Sequence, residues 1–269
     1  MTTVPRENLI NRASEIKVIP TLNAIANKVF SLIDNSNTSF NDLSNIVKYD
    51  QAISSKIISI ANSAYYSRGI EIFNLQRAML TIGFEEVRSI VTCILLMEGL
   101  MKLLKLKEGD LLNLWVHSIE VACASRLLSE RLMIEDPQKV FTASLLHDIG
   151  KVIFYMSLPG YGAAIKEIKD ADIAEFEMRH FGIDHQETGY IIAVKWKFPV
   201  DFSRIIRDHH KNPDNANADA LMRLIRASDH FSYRTLSAHS SEGIILEKER
   251  DAIAFEVNKI IEFLKLDVS

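Results

Sequence analysis

The stretch Leu145-Leu146-His147-Asp148-Ile149-Gly150-Lys151 limits what this chain can become more than any other. It lies in an apolar segment whose spacing predicts one helix over residues 138–156. A His-Asp pair in such a setting is costly to bury, because an isolated carboxylate is strongly disfavoured away from water. Metal coordination by the imidazole and the carboxylate would remove that cost. Lys151 follows His147 by four residues and Asp148 by three, so one helical face carries all three. A cation there is suited to hold a phosphate oxygen beside a metal, which makes Asp148 and Lys151 the candidate catalytic pair.

Ten glycines and six prolines punctuate 269 residues, and apolar residues recur mostly at helical spacing. The spacing predicts helices over 21–33, near 43–47, over 53–60, and over 75–82 with Gly83 as a left-handed cap. Further helices are expected over 87–104, 111–133, 165–169, 173–180, 184–196, 201–210, 218–236 and 241–266. No strand pattern competes, so the fold class is all-α. The charged run 105–110 divides the chain into an N-terminal helical subdomain (1–106), a subdomain carrying the His-Asp pair (107–236) and a C-terminal helix packing on the bundle (237–269). Because that run is too short for a flexible linker, the halves are expected to pack together.

Several function classes drop out. The apolar segment 87–104 contains Arg88, Glu98 and Lys102 and falls short of a membrane span, and the first twenty residues lack the apolar core of a secretory signal. A formal net charge of −4 and the lack of a helix-turn-helix pattern speak against a nucleic-acid partner. Cys93 and Cys123 sit in apolar helices and read as reduced core residues of a cytosolic protein. Trp115 and Trp196 read as packing residues, and Arg126 and Arg131 as solvated helix positions.

Downstream and upstream of His147-Asp148, consecutive helices supply His117, His185, His209-His210 and Asp229. Ligands on facing helices that converge inward are how helical proteins build metal sites. Imidazole with carboxylate suits one or two divalent transition metals: iron, manganese, zinc or nickel. Asp148 is placed to bridge two ions, with His117, His147 and Asp229 on one and His185 and His209 on the other. Each residue has a plainer reading too. Taken alone, His117 reads as a core or surface histidine hydrogen-bonded to backbone and His185 as a helix start capped by Asp184, while Asp229 has Arg223 and Arg226 within reach on its own helix. His209 is preferred to His210, since helical neighbours point about 100° apart. His180, His230 and His239 read as ordinary surface histidines, and Asn62 as shaping a helix end.

Residues 145–151 resemble the signature of the HD superfamily of metal-dependent phosphohydrolases. The order His117, His147-Asp148, His185, His209-His210, Asp229 resembles the ligand layout of its HD-GYP branch. The segment from Asp50 through Asn62-Ser63-Ala64-Tyr65-Tyr66, then Leu75-Gln76-Arg77-Ala78 to Gly83-Phe84, and His185-Gln186-Glu187-Thr188-Gly189 to Trp196-Lys197-Phe198-Pro199 are similar to the HDOD family, the HD-related output domain. The likeness spans roughly residues 19–212. It implies an HD-type helical bundle behind an N-terminal helical subdomain, in a bacterial signalling protein that works mainly through a protein partner. The alternative it implies is a metal-dependent phosphohydrolase with a nucleotide or phosphoester ligand. Lys211-Asn212-Pro213-Asp214 replaces the Gly-Tyr-Pro segment of the HD-GYP branch, which argues against hydrolysis of cyclic di-GMP.

Overall fold

The computed structural model describes residues 5–15, 40–48, 51–63, 66–67, 69–104, 111–166, 168, 170–211, 220–232 and 241–264. Helices α1 (Arg6–Glu15), α2 (Phe40–Lys48), α3 (Gln51–Ala61), α4 (Leu75–Ile82) and α5 (Phe84–Leu104) form the first part. The second part has α6 (Leu112–Leu132), α7 (Pro137–Leu146), α8 (Lys151–Ser157), α9 (Tyr161–Ile165), α10 (Asp170–Phe181) and α11 (His185–Lys195). It ends with α12 (Val200–Asp208), α13 (Ala220–Ser232), α14 (Ser241–Lys248) and α15 (Arg250–Leu264). No strand occurs among the described residues, so the all-α expectation holds. The expected helix 21–33 and the dividing run 105–110 lie outside the described residues.

Local chemistry explains where several helices begin and stop. Asn74 caps α4 by accepting from the Arg77 amide at 3.1 Å, and Asp136 caps α7 from the Lys139 amide at 2.8 Å, ahead of Pro137. Asp184 caps α11 through the Glu187 amide at 2.8 Å. Gly83 does take a positive φ of 99°, but with ψ 148° it is not the left-handed cap expected from the sequence; it turns the chain straight into α5.

Helix α6 is the axis of the bundle, buried along most of its length and packed by α7, α13, α14 and α15. One contiguous apolar core runs from Leu9 in α1 to Ile260 in α15 and takes in Trp115 and Trp196. Burial of this kind, rather than intrinsic propensity, stabilises short helices. Asn62 shapes its turn as expected: its side chain donates to Ile58 O and Ile72 O and accepts from the Ile72 amide at 2.7 Å.

Four further expectations need correction. The predicted helix 138–156 is two helices, because the chain tightens between Leu146 and Lys151 into a turn with i→i+3 bonds such as Ile149 N to Leu146 O and Lys151 N to Asp148 O. The helix expected at 165–169 starts earlier, at Tyr161, directly after Gly160 at φ 85°, since Tyr161 is drawn into the core against Phe154. The C-terminal helix is interrupted at Glu249. Arg126 is buried, not solvated. Helix α1 was not foreseen: only Leu9 and Ala13, one turn apart, are fully buried, with Ile10 partly buried beside them on a mostly polar helix.

Candidate metal centre

The tightened turn after α7 sets the centre. Its geometry depends on Gly150, where a Cβ would lie 1.8 Å from the His185 carbonyl oxygen and 2.6 Å from the Gly189 nitrogen. Only glycine lets the turn approach the first turn of α11 this closely. Thr188 Oγ1 donates to Gly150 O across the same contact.

The structure brings every sequence-derived candidate into one buried cluster. His117 comes from α6, His147 and Asp148 from the turn, and Lys151 from the start of α8. His185 is the first residue of α11, His209 and His210 follow α12, and Asp229 lies on α13. Asp148 stands in the middle and its two oxygens face different groups. Oδ2 is 3.3 Å from His117 Nε2 and 3.5 Å from His147 Nε2, while Asp229 Oδ1 is 3.2 and 3.6 Å from the same two nitrogens. Oδ1 is 3.4 Å from His185 Nε2 and 3.5 Å from His209 Nε2. Two sets of donor atoms that can hold an ion result: His117, His147 and Asp148, and Asp148, His185, His209 and His210.

The facing imidazoles are the informative detail. His117 Nε2 and His147 Nε2 are 3.3 Å apart, as are His185 Nε2 and His209 Nε2. His185 Nδ1 lies 2.6 Å from Glu177 Oε2, and His209 Nδ1 lies 3.1 Å from Ile206 O, so both outer nitrogens must carry the proton. When both rings are neutral, His185 and His209 therefore aim two lone pairs at each other. His147 is oriented the same way by Ser144 O at 2.6 Å. Such an array repels itself unless a proton or a metal ion lies between the nitrogens. Donors about 2.1 Å from a tetrahedral ion are ~3.4 Å from one another, the spacing observed here. Asp148 Oδ1 and Asp229 Oδ1 are buried without a hydrogen-bond donor, which also fits a cation-binding role.

Electrostatics reinforce this. Burial alone would push the Asp148 carboxyl up, but Lys151, with Nζ 2.5 Å from Oδ2, and His147 outweigh it and hold it well below the usual carboxylate range. Burial likewise opposes ionisation of Asp229, and His117 and His147 reverse it. Burial pushes His209 and His210 below the ordinary imidazole value and keeps them neutral. At His185 burial is overcome by Glu177, which raises it.

Asp229 does not pair with Arg226, whose guanidinium instead donates to Asp208 O at 2.6 Å and His209 O at 2.9 Å and so anchors the end of α12. His209, preferred from the sequence, meets Asp148 directly. His210 packs its ring on His209 at 4.2 Å and reaches Asp229 Oδ2 at 3.9 Å. His180 and His230 are exposed, as expected, and His239 lies outside the described residues. Sequence reasoning missed Glu177 and Tyr161. Glu177 accepts from both the amide and the ring of His185 and from the Tyr161 hydroxyl. No spacing signal marks it, because it reaches the centre from another helix.

The middle of the cluster is fully buried. His147, Asp148, His185 and His209 side chains have no exposure, and Lys151 has 2%. A crevice between Leu96, Leu114, Trp115, Leu145, Ile149 and Val152 reaches Asp148, with room for about one water molecule.

An all-α bundle that gathers imidazoles and carboxylates around an adjacent His-Asp pair is an HD-type domain. The chain belongs to the HDOD domain family, whose model matches residues 19–212. No curated protein matches it. Among solved structures it is similar to an HDOD domain protein of unknown function from Geobacter sulfurreducens, with 20% identity, TM-score 0.66, and 96% of this chain and 98% of that one covered. It is also similar to a protein from Shewanella amazonensis provisionally named a phosphohydrolase, with 20% identity, TM-score 0.61, and 94% and 93% coverage. A protein from Marinobacter aquaeolei provisionally named for signal transduction aligns at 16% identity and TM-score 0.63, over 89% of this chain and 56% of that one. These identities establish a shared fold. Among the described residues no helix is long and apolar enough to cross a membrane.

Proposed function

We propose that this chain is a cytoplasmic bacterial signalling module with an HD-type metal centre, and that its output is contact with a protein partner. The observation that carries the metal reading is the pair of facing Nε2 atoms around a donorless Asp148 oxygen. His117, His147, Asp148 and Asp229 would hold one divalent transition ion, and Asp148, His185, His209 and His210 a second. Iron, manganese, zinc and nickel all suit this donor set. Among the described residues the crevice that reaches Asp148 has room for about one water molecule, which supports a structural or regulatory centre. Ile70, Phe73 and Leu80, at and before α4, are 55%, 77% and 70% exposed and suit a protein contact. The division near residue 106 stays part of this reading, with both halves sharing one core.

A second reading, metal-dependent phosphoester hydrolysis, is favoured by the bridging position of Asp148. Bound metal ions would supply an activated water and neutralise phosphate charge. In that case Asp148 orients the centre and Lys151, now paired to Asp148, turns toward a phosphate oxygen. Cyclic di-GMP is not the expected substrate.

Elemental analysis of protein purified without chelator should find at least one transition metal per chain; substoichiometric metal after supplementation would overturn the metal reading. Asp148→Asn should lose metal. Retained partner binding by the folded variant supports the interaction module, and phosphatase activity lost together with metal supports the enzyme.

A further inference from the structure

Glu177 is a fully buried carboxylate outside the His-Asp motif, and both of its oxygens are committed. Oε2 accepts from the His185 amide at 2.7 Å and from His185 Nδ1 at 2.6 Å, while Oε1 accepts from the Tyr161 hydroxyl. Tyr161 is itself buried, stacked on Phe154 with 5.3 Å between ring centroids. The outer nitrogens of His147 and His209 lean on neutral backbone carbonyls. Of these three imidazoles, His185 alone has a negative charge behind it. A carboxylate behind a ligating imidazole fixes the tautomer, stops rotation of the ring and makes Nε2 a stronger donor. On the opposite side of Asp148 the nearby charge has the other sign, since Lys151 Nζ sits on the oxygen that faces His117 and His147.

The geometry points to Glu177, braced by Tyr161, as the positioning residue that sets cation affinity in the His185–His209 half of the centre. This rests on the metal reading above, but concerns residues that touch no ion. Glu177 acts through His185 alone, so its influence stops at Asp148 and leaves the His117–His147 half as it is. Tyr161 keeps the carboxylate from turning away from the ring.

The test uses metal-free full-length protein titrated with Co²⁺, followed by calorimetry and by the d–d absorption of the bound ion. E177Q keeps shape and hydrogen bonding, because the amide oxygen accepts from His185 and the Tyr161 hydroxyl can turn to accept from the amide nitrogen. E177Q is expected to weaken one binding event about 10- to 100-fold and change its absorption spectrum. The event that H117A abolishes should be unaffected. Y161F should weaken the same event as E177Q, by less. A folded E177Q with unchanged affinity and spectrum overturns the inference, as does a variant that only melts earlier when metal-free. If E177Q does not fold, Y161F decides: an unchanged affinity overturns the proposal. Wild-type protein that binds no Co²⁺ overturns the metal reading itself, a result distinct from normal binding by E177Q.

Discussion

Two polar clusters are buried along α6, and they are built on opposite principles. His117 and Arg126 are nine residues apart, about 13 Å along the axis at ~1.5 Å per residue. Around Arg126 charges of both signs meet. Its guanidinium donates to Ser89 Oγ at 2.8 Å, binds Glu256 and lies 3.6 Å from Glu86, which Lys259 approaches at 3.0 Å. Burial alone would lower the Arg126 pKa, but Glu256 and Glu86 help to raise it, so the cation is secure. Around His117 the pattern reverses: imidazole nitrogens face one another at 3.3 Å, and Asp148 Oδ1 and Asp229 Oδ1 lack a hydrogen-bond donor. The first cluster carries its own cations and fastens α15 to α5 and α6. The second is shaped for a cation that the chain does not itself supply in full. Similar burial on one helix therefore serves a closed structural joint at one level and a cluster able to hold a metal ion at the other.

The largest effect expected from breaking this comparison is at the joint. Arg126→Ala should cost about 3–5 kcal/mol, because Glu86 and Glu256 lose their buried partner. Urea unfolding should show the same loss with and without chelator; a loss that depended on metal would join the two clusters into one system. Next comes the metal centre. An ion at 100 times its dissociation constant should raise stability by about 2.7 kcal/mol, and Asp148→Asn should abolish that gain. Thermal melts with and without metal measure it, and an equal gain in the variant would remove Asp148 from the ligand set.

The smallest effect gives the scale for a half-buried pair at the surface. Lys139 Nζ lies 2.9 Å from Asp201 Oδ2, joining α7 to α12, with the two side chains 30% and 46% exposed. Asp201→Asn should cost only about 0.2–1 kcal/mol, less at high salt. The hydrogen bond from Lys139 chiefly holds Asp201 below the usual carboxylate range. Its contribution is thus present above about pH 3.9, the unfolded value, and is lost as pH falls through the lower folded value. The gap between wild type and variant should close on acidification; a gap that persisted in acid would mean packing, not charge.

Much of the centre was legible because its chemistry is concentrated. His147 and Asp148 are adjacent in an apolar run, where burial without a partner is costly, and that cost points to a ligand from composition alone. His117, His185, His209 and Asp229 could be nominated because each falls on a separate predicted helix in a chain with helical spacing throughout. Arg126 was misread for an instructive reason. Periodicity says which side chains share a face, but not whether another helix brings carboxylates to cover it, and Glu256 arrives from 130 residues away.

The sequence by itself determined the all-α class, most helix positions and the inventory of imidazoles and carboxylates, since these follow from local spacing and from the cost of burying charge. Tertiary structure alone decided that helix 138–156 would tighten at His147–Gly150, because the required clearance is between Gly150 and the His185 carbonyl, a residue on a different helix. It also decided which oxygen of Asp148 faces which histidines, and that Glu177 stands behind His185. These are questions of direction at ångström scale, and direction is set by how helices pack, not by the order of residues along any one of them.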